Sequence, residues 1–426
     1  MPAPKPAQMR SRHSPRIPFA GGAAALLLTA LNLAVGSARA DTVALTVSVD
    51  GQSASDSYSS VQDALGLLGE QTVAGYFSSY VGGYTDTSAA FAQVSYLDVG
   101  IRYGFEANSN TVQVSIPETG FSRSFTSDTR QNSNRLLRDF LRDNGDAVLR
   151  DIEKYRIQNS PSSPVAGNPS SLQSAILDQN FAVLASDPPS SVGVSGGKSS
   201  GGGAAQIGFE AGSFSTGRLN GSNYTIPFSY DIDVGTAGNQ LRLSVPVTYT
   251  ILDGSKVYSG SFGATYRIAL TDHLNIQSGF TYGAVYSEDL LQLVQLAGAT
   301  VGASYRIDLG EATLTPAVLL GQVNSVGVKI GRYSFDPDIE SYTVKIGQIL
   351  ENDVRMFSYP VRVQAFAAYT QLLGQEFFVQ NYVDFGINFG LLAPAGNRFT
   401  RRIRAGLIVT ASDSYSAGRL SFGYTF

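Results

Sequence analysis

The sequence predicts an α+β N-terminal region followed by an all-β, antiparallel transmembrane β-barrel of about 12 strands, with 14 as the alternative count. Three observations predict this. From residue 205 onward, apolar and polar residues alternate almost without a break, in runs longer than ordinary strands. After residue 40 no window is apolar for the roughly 18 residues a membrane-crossing helix needs, and a chain that crosses without helices must do so as a closed barrel. The chain also carries 22 Tyr and 23 Phe, an aromatic load that calls for a large core or an apolar solvent.

Residues 1–40 read as a secretory signal. Lys5, Arg10, Arg12 and Arg16 form a positive start, Phe19 to Val35 an apolar stretch, and Ala38-Arg39-Ala40 a small-x-small cleavage pattern, so that Asp41 begins the mature chain. Removing the segment's five Lys/Arg from the total of 30 leaves 25 against 34 Asp/Glu, a net charge of −9. An acidic chain without a basic block is a poor nucleic-acid binder. With no Cys, thiol catalysis, disulfide scaffolds and Cys-ligated metals are excluded.

Residues 41–158 form the α+β soluble domain. Val43, Leu45, Val47 and Val49 alternate with smaller or polar residues and predict a strand, as does Val112 to Ile116. Val61 to Leu68 predicts a helix start. Over 133–157, Leu136, Leu137, Phe140, Leu141, Val148, Leu149 and Ile152 fall on one helical stripe, which Gly145 is expected to split. Residues 159–204 read as a Pro/Ser/Gly-rich linker around a short helix, 172–184, with Leu172, Ile176, Leu177, Phe181 and Leu184 on one side; 186–204 reads as a flexible tether.

The barrel spans 205–426. Leu241, Leu243, Val245, Val247, Tyr249 and Ile251 share one face, opposite Arg242, Ser244, Pro246, Thr248 and Thr250. Four further runs repeat this, led by Tyr224, Tyr258, Leu274 and Ala299. Gly263, Gly279, Gly283, Gly302, Gly386, Gly406 and Gly423 fall on the polar face, which suits a crowded, curved inner wall. Charges cannot face lipid cheaply, at about 2–4 kcal/mol near the midplane. Arg242, Arg267, Arg306, Arg362, Arg402, Arg404, Arg419, Asp231, Asp308 and Asp384 are therefore expected to line the lumen.

The chain ends Arg419-Leu420-Ser421-Phe422-Gly423-Tyr424-Thr425-Phe426. Its apolar row, Leu420, Phe422, Tyr424 and Phe426, resembles the terminal signal strand of Gram-negative outer-membrane proteins. That resemblance implies recognition by the barrel-insertion machinery and contact with outer-membrane lipid. The order of export signal, soluble region, helix and C-terminal barrel also resembles the autotransporters, in which a passenger is carried to the surface and a helix occupies the pore. Here the soluble region is short and lacks the long Gly/Asn/Thr-rich repeats of a passenger solenoid.

No catalytic, metal or cofactor site stands out. His273 is the single histidine after residue 40; its strand face carries Asn275 and Gln277, while Ser278 points the other way. Asp336 and Asp338 read as a solvated turn. The expected function is a non-enzymatic outer-membrane barrel that anchors a periplasmic N-terminal domain, its Arg-lined lumen acting as a channel for a small solute or holding the linker helix. The alternative is an autotransporter-like translocator that displays residues 41–160 at the cell surface toward a surface ligand.

Overall fold

The computed structural model describes residues 43–58, 72–96, 98–185, 203–217, 219–235, 238–287, 292–330, 333–356, 359–392 and 403–425. The signal segment 1–40, the helix start expected over 61–68, most of the tether, Arg402 and Phe426 lie outside these residues.

The N-terminal part is a six-stranded antiparallel sheet. Its strands are β1 (Val43–Val49), β2 (Gln52–Tyr58), β3 (Ala90–Tyr96), β4 (Val99–Phe105), β5 (Val112–Ile116) and β6 (Phe121–Phe125), in the spatial order β2-β1-β3-β4-β5-β6. Asp50 and Gly51 join β1 to β2 with φ of 47° and 85°, the left-handed pair that a two-residue hairpin needs. The period-two pattern of β1 places Val43, Leu45, Val47 and Val49 in the core. There they meet Phe77 of helix α1 (Val73–Tyr80) and Leu137 of helix α2 (Arg130–Asn159). Thr129 caps α2 by accepting from the Asn132 amide at 3.2 Å.

Helix α2 departs from two expectations. It runs unbroken through Gly145, because a single glycine costs only about 1 kcal/mol and the helix is fixed near both ends by Leu137, Ile152 and Ile157. The apolar stripe is also narrower than its sequence: Leu136 and Leu149 are 41% and 37% exposed.

In the barrel, the first strand position is β7 (Gly203–Ser215). The second is broken at Pro227 into β8 (Asn220–Ile226) and β9 (Phe228–Asp233). The third is broken at Val245–Pro246 into β10 (Gln240–Ser244) and β11 (Val247–Leu252). Then come β12 (Ser255–Ala269), β13 (Leu274–Ser287), β14 (Gln292–Tyr305) with its extension β15 (Ile307–Asp308), and β16 (Ala312–Val326). A small hairpin, β17 (Val328–Ile330) and β18 (Tyr333–Phe335), leads to β19 (Glu340–Met356), β20 (Tyr359–Gly374), β21 (Asn381–Leu391), β22 (Ile403–Ala411) and β23 (Ser416–Thr425). β23 pairs antiparallel with β7, from Ser416 opposite Ser215 to Thr425 opposite Gln206, which closes a barrel of 12 strand positions. Both breaks fall at prolines, which cannot donate to the ladder.

Alternation sends apolar side chains outward: Phe262, Phe280, Val301, Leu320, Ile346, Phe385 and Phe422 are all exposed. Near one mouth Tyr224, Tyr249, Tyr258 and Tyr286 stand in register across four neighbouring strands, with ring centroids 6.5 Å apart for the first pair and 5.2 Å for the second. Water does not favour so large an apolar surface.

The N-terminal sheet is not hung on a loose linker. Residues 160–171 are mostly buried, and one continuous apolar cluster runs from Val43, Phe77 and Phe105 through Val165 and Ala166 to Leu296, Leu372 and Phe377 of the barrel. Polar contacts reinforce the joint. The Phe378 amide donates to the Ile157 carbonyl at 3.0 Å, the Val379 amide to the Gly167 carbonyl at 2.9 Å, and Gln292 donates to Glu153. The sheet thus caps the mouth formed by the turns after β13, β16, β20 and β22.

Candidate functional site

Helix α3 (Leu172–Ala185) lies inside the barrel. It is not amphipathic: Gln173, Ser174, Asp178, Gln179 and Asn180 are interspersed with its apolar residues. Its bulky side chains Leu172, Ile176, Leu177, Phe181 and Leu184 are buried and face a wall made by β12, β13, β14, β16 and β19. That wall is stripped of side chains where the helix touches it. A Cβ built on Gly263 would fall 2.5 Å from Gln179, on Gly298 2.7 Å from Ile176, on Gly302 2.5 Å from Leu184, on Gly321 2.6 Å from Leu177, and on Gly347 2.7 Å from Phe181. These five glycines are therefore a seat for the helix, a more specific role than a curved wall requires, whereas no atom of α3 is among the nearest neighbours of Gly386, Gly406 or Gly423.

Polar contacts fix the helix along its length. Gln173 donates to Ser341 at 2.5 Å, and Gln179 reaches Ser244. The Asn180 side chain donates to Thr281 at 3.1 Å and accepts from Thr265 at 2.8 Å, while its carbonyl accepts from Gln277 at 2.8 Å. Near the C-terminus the Arg267 guanidinium donates to the Val183 carbonyl at 3.1 Å, a cation placed where the helix dipole and unmet carbonyls favour one.

The opposite side of α3 carries no bulky apolar residue, although Gln179 reaches from it toward Gly263. Ala175 and Ala182 are exposed there, with Asp178 and Gln179 between them half-buried. Between this side and a wall of β7–β12 and β19–β23 lies a cavity of about 450 Å³. Its charges are largely paired. Arg242 grips Asp231 with two bonds, 2.6 and 2.9 Å. Lys345 sits between Asp178 at 2.6 Å and Asp384 at 2.9 Å, and Thr410 donates to Asp384 at 2.7 Å. Arg419 lies 3.7 Å from Asp178 and 3.9 Å from Glu210. Arg404 also lines the cavity.

The remaining sequence-derived positions fall elsewhere. Arg362 pairs with Glu351 at 3.2 Å and Asp353 at 2.8 Å, near the mouth remote from the N-terminal sheet. Arg306 and Asp308 sit at that same rim, 40% and 56% exposed and bonded to each other at 3.0 Å. They leave the lumen because β14 ends at Tyr305 and only the two-residue β15 continues it. Leu420 and Phe422 point outward from β23. His273 is exposed in the turn before β13, its Nδ1 3.1 Å from the Arg306 carbonyl. Asp336 accepts from Ser325 at 2.5 Å and Asp338 lies 3.7 Å from Lys154. Among the described residues no His, Asp or Glu cluster has metal-binding geometry.

Sequence reasoning missed Asp178, Glu210 and Lys345. Lys345 had a readable signal: in Ser341-Tyr342-Thr343-Val344-Lys345-Ile346 it shares the polar face. Asp178 had none, since nothing in a helix sequence says which barrel residue will face it.

No family model matches this sequence, and no curated protein matches it. Among solved structures, the β domain of the Bordetella autotransporter BrkA aligns at 14% identity, covering 53% of this chain and 98% of its own, with a TM-score of 0.40. The translocator domain of the autotransporter NalP from Neisseria meningitidis gives 14%, 60%, 97% and 0.39 in the same order. LpxR from Salmonella typhimurium gives 8%, 51%, 99% and 0.33. The reading of the barrel therefore rests on its own residues.

Proposed function

We propose that the chain is a non-enzymatic outer-membrane β-barrel that anchors its N-terminal domain at the cell surface, with α3 as the tether that fills much of the lumen. The apolar outer face and the tyrosine row support contact with outer-membrane lipid. The outward Leu420 and Phe422 support the proposed role of the last strand in recognition by the insertion machinery.

One observation carries the choice of side: α3 threads the barrel. Tyr415, just before β23, meets Ser170 beside the N-terminal sheet. Ser215 at the end of β7 pairs with Ser416, so the ends Gly203 and Thr425 lie at the other mouth. An even strand count leaves both ends on one side. A chain delivered from the periplasm keeps those ends on its side of entry while its hairpins cross. The N-terminal domain then faces outward, which favours the autotransporter-like alternative over a periplasmic domain.

Protease shaving of intact cells, with an epitope tag placed just after Asp41, tests this. Loss of the tag while the barrel persists is expected. A tag that survives until the outer membrane is permeabilised would contradict it.

A further inference from the structure

We propose that the uncovered face of the N-terminal sheet binds a neutral saccharide chain, with the Phe91 ring as the platform for a sugar ring and Arg102 and Glu118 as its hydrogen-bonding pair. That the saccharide is met outside the cell rests on the reading of a displayed domain; the binding itself does not.

Period two sorts the sheet into two unlike faces. One packs on α1 and α2: Leu45, Val94, Phe105 and Val114 are buried there, and Tyr103 stacks on Phe77. The other face has no helix over it. One row crosses all six strands in register, Ser55, Thr46, Gln93, Arg102, Ser115 and Ser122, and each of these is exposed or half-buried. Beside that row Phe91 is 38% exposed. Strand β4 carries Gly100, Arg102 and Gly104 on this face, and both glycines yield their place to a side chain from elsewhere. A Cβ built on Gly104 would fall 2.5 Å from the Phe91 ring, and one on Gly100 3.3 Å from Glu118 Oε1. The ring and the carboxylate thus rest on the sheet on either side of Arg102, along a strip of about 13 Å at roughly 3.3 Å per residue. That length matches a short oligosaccharide better than a single ring.

The chemistry of the strip fits a sugar. The negative face of an aromatic ring attracts the polarised C–H groups of a pyranose. Hydroxyls and amides hydrogen-bond ligand hydroxyls in both senses, a guanidinium only donates and a carboxylate only accepts. Glu118 Oε2 is buried and accepts no hydrogen bond, an acceptor that a ligand hydroxyl would satisfy. Charge decides which class of sugar. On the strands of this face Arg102 is the only charged side chain, and Glu118, laid over Gly100, offsets it. The strip therefore complements an uncharged polyol, where an acidic sugar would meet the carboxylate. A protein partner is poorly matched: an interface core needs apolar area, and Phe91 and Ala44 are the only apolar side chains on this face.

The test applies the fluorescently labelled full chain, in a zwitterionic detergent without a sugar headgroup, to an array of immobilised oligosaccharides, neutral and carboxylate-bearing. Binding to neutral oligosaccharides longer than one ring is expected, and it should persist at high NaCl. Phe91→Ala should lower that affinity about tenfold, as loss of a central aromatic anchor does, while Phe91→Tyr should keep it. Arg102→Gln and Glu118→Gln should each lower it several-fold. Unfolding temperatures close to that of the parent chain would show that the variants are folded, since all three side chains lie at the surface. An array with no bound neutral oligosaccharide would overturn the proposal. So would binding confined to acidic sugars, or binding to neutral ones that ignores all three substitutions. None of these outcomes bears on which side of the membrane the domain occupies, so the ligand and the display stand or fall separately.

Discussion

Asp231 and Arg242 show what parity can and cannot say about a residue. Alternation puts both on the polar face, and they meet there in a buried two-bond pair. Removing one partner leaves the other charge buried and unmatched, at about 3–5 kcal/mol. Asp231→Ala should therefore lower the temperature at which the barrel unfolds in detergent, while Asp308→Ala, at the exposed rim, should leave it nearly unchanged. Equal effects would mean that the two carboxylates share an environment. Parity gives the face of a side chain but not its height along the barrel, which is why Arg306 and Asp308 look the same in sequence as Arg267. The seat makes a second residue-scale claim. Gly321→Ile drives a branched side chain into Leu177, an overpacking cost of about 1–3 kcal/mol. It should loosen α3, seen as faster hydrogen exchange of the helix amides.

At the scale of elements, α2 is legible in the sequence and the segment after it is not. The helix was legible from its stripe, but its continuity was not, because one glycine is a weak breaker inside a well-packed helix. No atom beyond the immediate neighbours lies within 4 Å of a Cβ built at Gly145, so Gly145→Ala should stabilise the N-terminal domain by about 0.5–1 kcal/mol in denaturant unfolding. A loss would mean that the helix bends there. Residues 160–171 have the composition of a loop yet are mostly buried. Their polar groups are paired: Ser163 donates to Glu153 at 2.7 Å, and Arg156 donates to the Ser162 carbonyl at 2.9 Å and to Glu153 at 3.0 Å. Composition cannot announce such pairing, because Ser and Asn serve turns and packed polar joints equally well.

At the scale of the whole molecule, buried phenols tie the stability of the N-terminal domain to pH. In the N-terminal domain, burial pushes the Tyr96 phenol up to about 12, and burial also raises Tyr76 and Tyr103. A folded value above the unfolded one of about 10 means stability that is full below pH 10 and lost as pH rises through the folded values. The domain should therefore unfold in base above about pH 10, with Tyr96→Phe shifting the transition upward. An unmoved transition would show that other groups control it. The strand count was legible at this scale because lipid-facing alternation repeats about twelve times. The threading was not, since the same helix pattern fits a plug entered from either mouth.

Threading is the central claim, and thiol labelling of intact cells tests it most directly. The absence of native cysteine makes single cysteines free of background. Ser53→Cys lies on an exposed strand of the N-terminal sheet, and Asp272→Cys on the exposed turn between β12 and β13 at the opposite mouth. With an impermeant maleimide, the account predicts that Ser53→Cys is labelled in intact cells and Asp272→Cys only after the outer membrane is opened. The reverse pattern would contradict it and return the N-terminal domain to the periplasm.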